Sequence, residues 1–421
     1  MFKNAGFLII LLLSLSIGLI DAAAEEILSW QDCVTEALKN HPDLASAKAE
    51  LRQVEIDKAL TQSAWLPEIT STLSGKTAKA ASATTDTYAY SVSGTQLLFD
   101  GFKTTHDLSA ASQTIKAQEY NYIVASSDIR LNLRTAFVEL LEAQELISIT
   151  EEISQRRKQN HELVRLRYEV GREHKGALLT AGADLAQAKL ERTQAERDLT
   201  LSQRKIIKEL GRRQFAPVKV KEEFNIQGLN RERPDFEHLT DNTPFLKELV
   251  AKKEAARFDL DSARADFFPQ VYLNGSAGKT GSDWPPENDA WSAGVTLSFP
   301  IFEGGSRISE VSKARAALEQ KQAEERSGRD SVILTLEQTW TELQDALDEI
   351  LVQEKHLAAV EERARIAGAQ YSSGLISFDD WIIIEDNLVD ARKSFLNARA
   401  DALVAEATWI QAEGGALDYE N

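Results

Sequence analysis

The sequence predicts a mainly α-helical chain with a small membrane-spanning β part, built from one module used twice. Three observations predict it. First, landmarks recur at a fixed distance: Pro244 follows Pro42, and Pro269 follows Pro67, by 202 residues, while Phe302 follows Phe99, and Tyr371 follows Tyr168, by 203. A register held over that distance marks duplication, and the copies are too long for solenoid repeats. Second, each copy holds two segments of about ten residues with alternating character, the length a tilted strand needs to cross a bilayer. Third, each copy then holds a very long stretch with coiled-coil periodicity.

The chain opens with an export signature. Lys3 precedes an apolar run from Phe7 to Ile20, about 14 residues, and Ala22-Ala23-Ala24 fits a cleavage site. That run is shorter than the roughly 20 residues of a spanning helix, so residues 1–24 read as a signal peptide. The first repeat is expected over 25–214, a connector over 215–242, the second repeat over 243–412 and a tail over 413–421. The connector carries Pro217, Gly228 and Pro234, with a short strand expected at Val218-Lys219-Val220. The tail after Gly414 offers little to pack.

In the first copy a helix from Leu44 to Ser63 stops at Pro67. Strands are expected at 69–78 and 87–99, with a small polar loop from Lys79 to Asp86. In the second copy they fall at 270–280 and 291–302, after Pro269. Trp65, Tyr88, Phe267, Phe268, Trp284 and Trp291 sit at or near strand ends. Aromatic residues there suit a membrane interface, although a soluble hairpin with core aromatics shares this pattern.

The helices decide between those readings. From Lys103 to Tyr168 there is neither proline nor glycine. Ile129, Leu133, Phe137, Leu140, Gln144 and Ile147 form a seam, and Val332, Leu336, Trp340, Leu343 and Leu347 repeat it. Such a helix is about 100 Å long. Gly171 and Gly374 break the pattern, and a second helix returns from each, giving helical hairpins at about 102–213 and 304–411. Hairpins of this length cannot bury their seams in one globule. Four strands cannot close a barrel either, and open edges are forbidden in lipid. Three chains supply twelve strands and twelve helical passes, so both arguments point to a homotrimer.

Composition excludes other classes. With 48 basic and 66 acidic residues the net charge is −18, which disfavours nucleic acid and serves either solubility or a lumen that attracts cations. Cys33 is the single cysteine, so no internal disulfide forms, and a buried small hydrophobe is its ordinary role. The six histidines lack metal-ligand spacing. There is no phosphate loop or nucleophile elbow, so no catalytic, cofactor or metal residues are assigned.

The signal peptide, the two copies of helix–strand–strand–hairpin, the prolines before the strands, Leu98-Phe99-Asp100-Gly101-Phe102, Ile301-Phe302-Glu303-Gly304-Gly305 and Tyr371-Ser372-Ser373-Gly374 together resemble TolC-type outer-membrane efflux proteins. The resemblance spans the mature chain. It implies a trimeric 12-stranded β-barrel in the outer membrane, continuous with a periplasmic α-helical barrel. It implies outer-membrane lipid, a periplasmic membrane-fusion adaptor and an inner-membrane pump of RND or ABC type as partners. It also implies a periplasmic gate. Asp380 falls at one acidic gate position, with Asp379 beside it and Tyr371 before the turn. The family's gate arginine falls on Ile376 and its second acidic position on Ile383, so a lock built on that arginine is either absent or moved, with Arg172 in the other copy as the candidate substitute. Gly171, Arg172, Gly374 and Ile376 mark the tips expected to meet the adaptor. Asp379 and Asp380 also suit the start of the return helix, where carboxylates favour the dipole. Type I protein secretion remains open within this family. A trimeric coiled-coil or adhesin-like protein explains the heptads but not strands inserted at equivalent places in two repeats.

Overall fold

The computed structural model describes residues 26–80, 83–222 and 232–418; the signal peptide falls outside them. The chain order is β1 (Glu26–Leu28), α1 (Trp30–Asn40), α2 (Pro42–Ser63), β2 (Glu68–Ala80), β3 (Ala83–Phe99), α3 (Lys103–Glu169), α4 (Lys175–Glu209), β4 (Val218–Val220), α5 (Phe236–Asn242), α6 (Pro244–Ala265), β5 (Gln270–Gly281), β6 (Asn288–Ser298), α7 (Ser306–Ser373) and α8 (Phe378–Glu413). The duplication is visible throughout. α2 and α6 are both 22 residues with proline in the first turn, where the missing N–H costs nothing. α3 and α7 are 67 and 68 residues, about 100 Å each.

Each long helix pairs with its return helix. The close approach uses alanine: Ala181, Ala188 and Ala195 are buried along α4, and Ala391 and Ala398 along α8. A seven-residue spacing of small side chains keeps one face on the partner. The return helices begin at Lys175 and Phe378. His174 and Ser377 cap them, accepting from Ala177 N–H (3.1 Å) and Asp380 N–H (3.1 Å).

The four long strands form one antiparallel sheet in the order β2-β3-β5-β6. β2 and β3 run past the expected loop at 79–86, and the fourth strand ends at Ser298, before Pro300. Register sorts the side chains onto two faces. Leu73, Tyr90 and Lys279 align across three strands, as do Leu273 and Val295, or Ala277 and Trp291. The opposite face carries hydroxyls and amides: Thr95 Oγ1 donates to Asn274 Oδ1 (3.3 Å), Asn274 Nδ2 to Thr296 Oγ1 (3.0 Å), and the Ser276 and Ser292 hydroxyls bond at 2.8 Å. Ile69, Leu73, Val295 and Leu297 are exposed on the apolar face. A polar face and a bare apolar face suit a wall between lumen and lipid.

Trp65, Phe267 and Phe268 gather at the helix-to-strand end, half-exposed. At the other end Tyr88 meets Trp284 edge-on at 6.2 Å, and Trp291 lies on the apolar face. Pro67 and Pro269 stand immediately before β2 and β5. The Phe-Asp-Gly-Phe run then turns strand into helix. Asp100 Oδ2 accepts from Thr104 N–H (2.8 Å) and Oγ1 (2.5 Å), and Gly101 (φ +71°) packs so closely that a Cβ would stand 2.4 Å from Phe268 Cβ.

Midway along the helices, β1 pairs in parallel with β4. Cys33, Leu133, Phe137, Leu140, Ile206 and Leu210 form the core beneath it. The tail packs, contrary to expectation: Leu417 is buried in this core and its N–H donates to Ser126 Oγ (3.0 Å). An isolated leucine gives no periodicity, so the sequence hides it. Among the described residues no helix is long and apolar enough to cross a membrane.

Candidate functional site

The ends of the two hairpins meet. α3 stops at Gly171 (φ +73°) and α7 at Gly374 (φ +80°), left-handed positions that glycine tolerates. Each turn closes alike: Arg172 N–H donates to Arg167 O (2.8 Å), and Leu375 N–H to Gln370 O (2.9 Å). Arg172 and Gly374 are exposed, and Ile376 is half-buried.

Tyr371, in the last turn of α7, is fully buried. Its ring stacks on Trp381 of α8 (4.2 Å, 10°) and meets Phe378 edge-on (6.3 Å). Its hydroxyl reaches the other hairpin, donating to Glu173 Oε2 (2.9 Å). Burial, the Glu173 hydrogen bond and the Glu173 charge push the phenol well above its ordinary pKa, so it remains a donor. Arg167 adds a second tie: Nη1 donates to Tyr371 O (2.7 Å), with the guanidinium 4.6 Å from the ring centroid. The arginine crossing between hairpins is thus Arg167, while Arg172 closes its own turn. Glu173, Arg167 and Trp381 were not singled out from sequence. The repeat carried a signal: Ile376 stands 203 residues after Glu173, so a carboxylate in one copy faces an apolar residue in the other.

Asp379 and Asp380 lie exposed in the first turn of α8. Asp380 Oδ2 accepts from Ser377 Oγ (2.7 Å) while its N–H donates back to that hydroxyl. This is a cap, and both carboxylates oppose the helix dipole. Neither is consumed by an ion pair among the described residues.

Above the tip, consecutive residues of α3 clasp consecutive residues of α8. Arg156 holds Glu385 through Nε (2.6 Å) and Nη2 (2.8 Å), Asn160 Nδ2 adds a bond at 3.0 Å, and Arg157 bonds Asp386. Glu385 is 2% exposed. Burial raises its carboxyl, but Arg156, Asn160 and Arg157 outweigh that and hold it below the usual range. The Arg156 side chain keeps 39% of its surface in water, so the pair contributes about 1.5–3 kcal/mol. Arg392–Glu152 (2.8 Å) and Arg399–Glu145 (3.0 Å) continue the ladder along α3, and Lys393–Glu191 (2.7 Å) ties α8 to α4. No group of metal-ligating side chains occurs among the described residues.

The sequence matches the outer membrane efflux protein family over residues 33–212 and 237–415, one match per repeat. It is 23% identical to the outer membrane efflux protein BepC of Brucella suis biovar 1 (strain 1330) over 390 residues, 90% of this chain and 81% of that protein. It is 22% identical to the cation efflux system protein CusC of Escherichia coli O157:H7 over 416 residues, 91% and 85% of the two chains. The fold is similar to that of the Campylobacter jejuni CmeC outer membrane channel, with TM-score 0.83 at 18% identity over 93% of this chain and 87% of that one. The two family matches cover both repeats from α1 to the end of α8, and the chain belongs to the outer membrane efflux protein family.

Proposed function

We propose that three copies of this chain close into one conduit. The sheets complete a barrel in the outer membrane, and the helices form a periplasmic tube whose far end is gated at the hairpin tips. As an outer membrane efflux protein the chain is the exit duct of a tripartite system; an inner-membrane pump and a periplasmic adaptor are its proposed partners. The observation that carries the gate is the tip itself. Two hairpins are tied by Tyr371–Glu173 and Arg167–Tyr371 O, while Asp379 and Asp380 stand exposed beside the tie. Threefold symmetry makes those carboxylates a ring. A narrow acidic ring excludes anions and stores repulsion that a small shift relieves. Adaptor contacts at Gly171, Arg172, Gly374 and Ile376 that exist only in the open form would shift the population.

Planar-bilayer recording of the purified protein tests this. Small, cation-preferring conductance is expected, rising in Asp379→Ala/Asp380→Ala. Unchanged conductance and unchanged divalent block in the double variant would overturn the gate.

A further inference from the structure

The two return helices start on different caps. His174 caps α4, and Ser377, 203 residues on, caps α8. With a neutral ring the two act alike: His174 Nδ1 accepts from Ala177 N–H (3.1 Å) and Ser377 Oγ from Asp380 N–H (3.1 Å). A hydroxyl keeps its lone pairs at any physiological pH, whereas histidine changes charge between about pH 5 and 8. With Nδ1 accepting, the ring hydrogen sits on Nε2, so an added proton must go to Nδ1. It turns the acceptor into a donor facing the Ala177 N–H, and it sets a positive charge at the positive end of the helix dipole. Protonation therefore uncaps α4 and leaves α8 capped.

The uncapped turn adjoins the tie between the hairpins. Glu173 Oε2 accepts from the Tyr371 hydroxyl (2.9 Å), while Oε1 accepts from the His174 N–H (3.2 Å) and lies 3.9 Å from Nε2. Charging the ring draws this carboxylate toward Nε2 as the first turn of α4 loosens. Arg172 and Lys175 flank His174 in sequence; across the Glu173 carboxylate stand Tyr371 of α7 and Arg167 of α3. Among the described residues only Glu173 is within ion-pair reach of the ring. The His174 side chain is 64% exposed, so protons reach it directly. His41 caps α2 in the same manner, through Asp43 N–H (3.2 Å), but it is buried 3.5 Å from Glu209. A proton there loses a cap and gains an ion pair with no bearing on the tip. At His174 the ion pair gained is made with the very carboxylate that holds Tyr371.

We propose that His174 is a proton-operated catch. As pH falls through the histidine range, α4 loses its cap, Glu173 is drawn off Tyr371, and the first hairpin loosens from the second, whose serine cap does not respond. The consequence for conduction rests on the gate reading above; the uncapping does not.

Hydrogen exchange and bilayer recording of the purified full-length protein test the two parts separately. Between pH 7.5 and 5.5, exchange in 175–180, corrected for the intrinsic rate, is expected to rise about fivefold, the worth of a typical cap. Exchange in 378–383 should stay constant, and His174→Ser, which keeps a cap without a titrating ring, should abolish the rise. Openings are expected to become more frequent over the same range in wild type and not in His174→Ser. Tyr371→Phe has no hydroxyl to release, so it should open equally often at both pH values while keeping the rise in exchange. A rise that survives in His174→Ser, or that wild type lacks, overturns the proposal, as does a full pH step in the openings of Tyr371→Phe. A rise in exchange with openings that neither pH nor any variant alters would instead overturn the gate at the tips.

Discussion

At the scale of single residues, Glu385 carries the most consequence. It is an acid in a fully desolvated place, tolerable because three donors converge on it. Glu385→Ala leaves Arg156 without its acceptor, but that side chain is 39% exposed and water can reach it, so the expected cost is about 1.5–3 kcal/mol, read as a lower midpoint in thermal unfolding. Glu385→Gln keeps the shape and one acceptor oxygen, so it should fall between. The pH dependence has a defined sign. Glu385 and Glu191 are held below the ordinary range, so their contribution is present above about pH 4.5 and is lost as pH falls through their folded values. Burial raises Glu142, Glu406 and Glu413 instead, so theirs is full below about pH 4.5 and is lost as pH rises through their folded values. Thermal stability should thus fall on both the acid and the alkaline side, and Glu385→Gln should flatten the acid limb. A limb identical to wild type would show that Glu385 is not the group titrating there. The glycines of the strand-to-helix turns give a second contrast. Gly101→Ala meets both a left-handed backbone and Phe268, whereas Gly304→Ala (φ +62°) has nothing within 4 Å. The first should destabilise more, by about 1–2 kcal/mol beyond the roughly 1 kcal/mol of backbone strain.

At the scale of elements, what the sequence made legible was whatever repeats or has period. The heptad seam through Leu133, Phe137 and Leu140 announced α3, and prolines at 42, 67, 244 and 269 fixed the ends of α2 and α6 with the strands that follow. The first turns of α4 and α8 are held by single caps, His174 and Ser377, rather than by a stripe, so periodicity does not mark where they begin. α5 and β1, seven and three residues long, are set by tertiary packing and give too short a pattern. The tip followed the same rule. Gly171, Gly374 and Tyr371 recur and could be found, whereas Glu173 and Glu385 could not, since a lone acid on a long charged helix looks like a solvated face until its partner is known. Cys33 was legible from its apolar neighbours alone. Burial, with Glu36 and Asp32 nearby, pushes its thiol up to about 12. Maleimide should label it only on unfolding, and rapid labelling of native protein would mean that the packing around β1 and β4 opens.

At the scale of the whole molecule, charge is divided unevenly between the two parts of the conduit. In the register of the sheet, the polar face carries Glu68 and Lys76 as its charged side chains among the described residues, and the rest are hydroxyl, amide, small, Tyr272 or Leu97. Those two charges cancel. In the proposed barrel the net −18 of the chain would therefore reside outside the bore. The tip and the barrel lie about 100 Å apart, many times the roughly 8–10 Å over which salt screens at physiological strength. Each end then acts on a permeating ion independently. Selectivity for cations should accordingly belong to the periplasmic end: Asp379→Asn/Asp380→Asn should move the reversal potential toward zero under a salt gradient, and Lys76→Gln should move it little. Raising the salt should shrink the preference in wild type, because an exposed carboxylate ring is screened. A Lys76→Gln shift as large as that of the aspartate pair would place the filter in the barrel, and with it the narrowest point of the conduit.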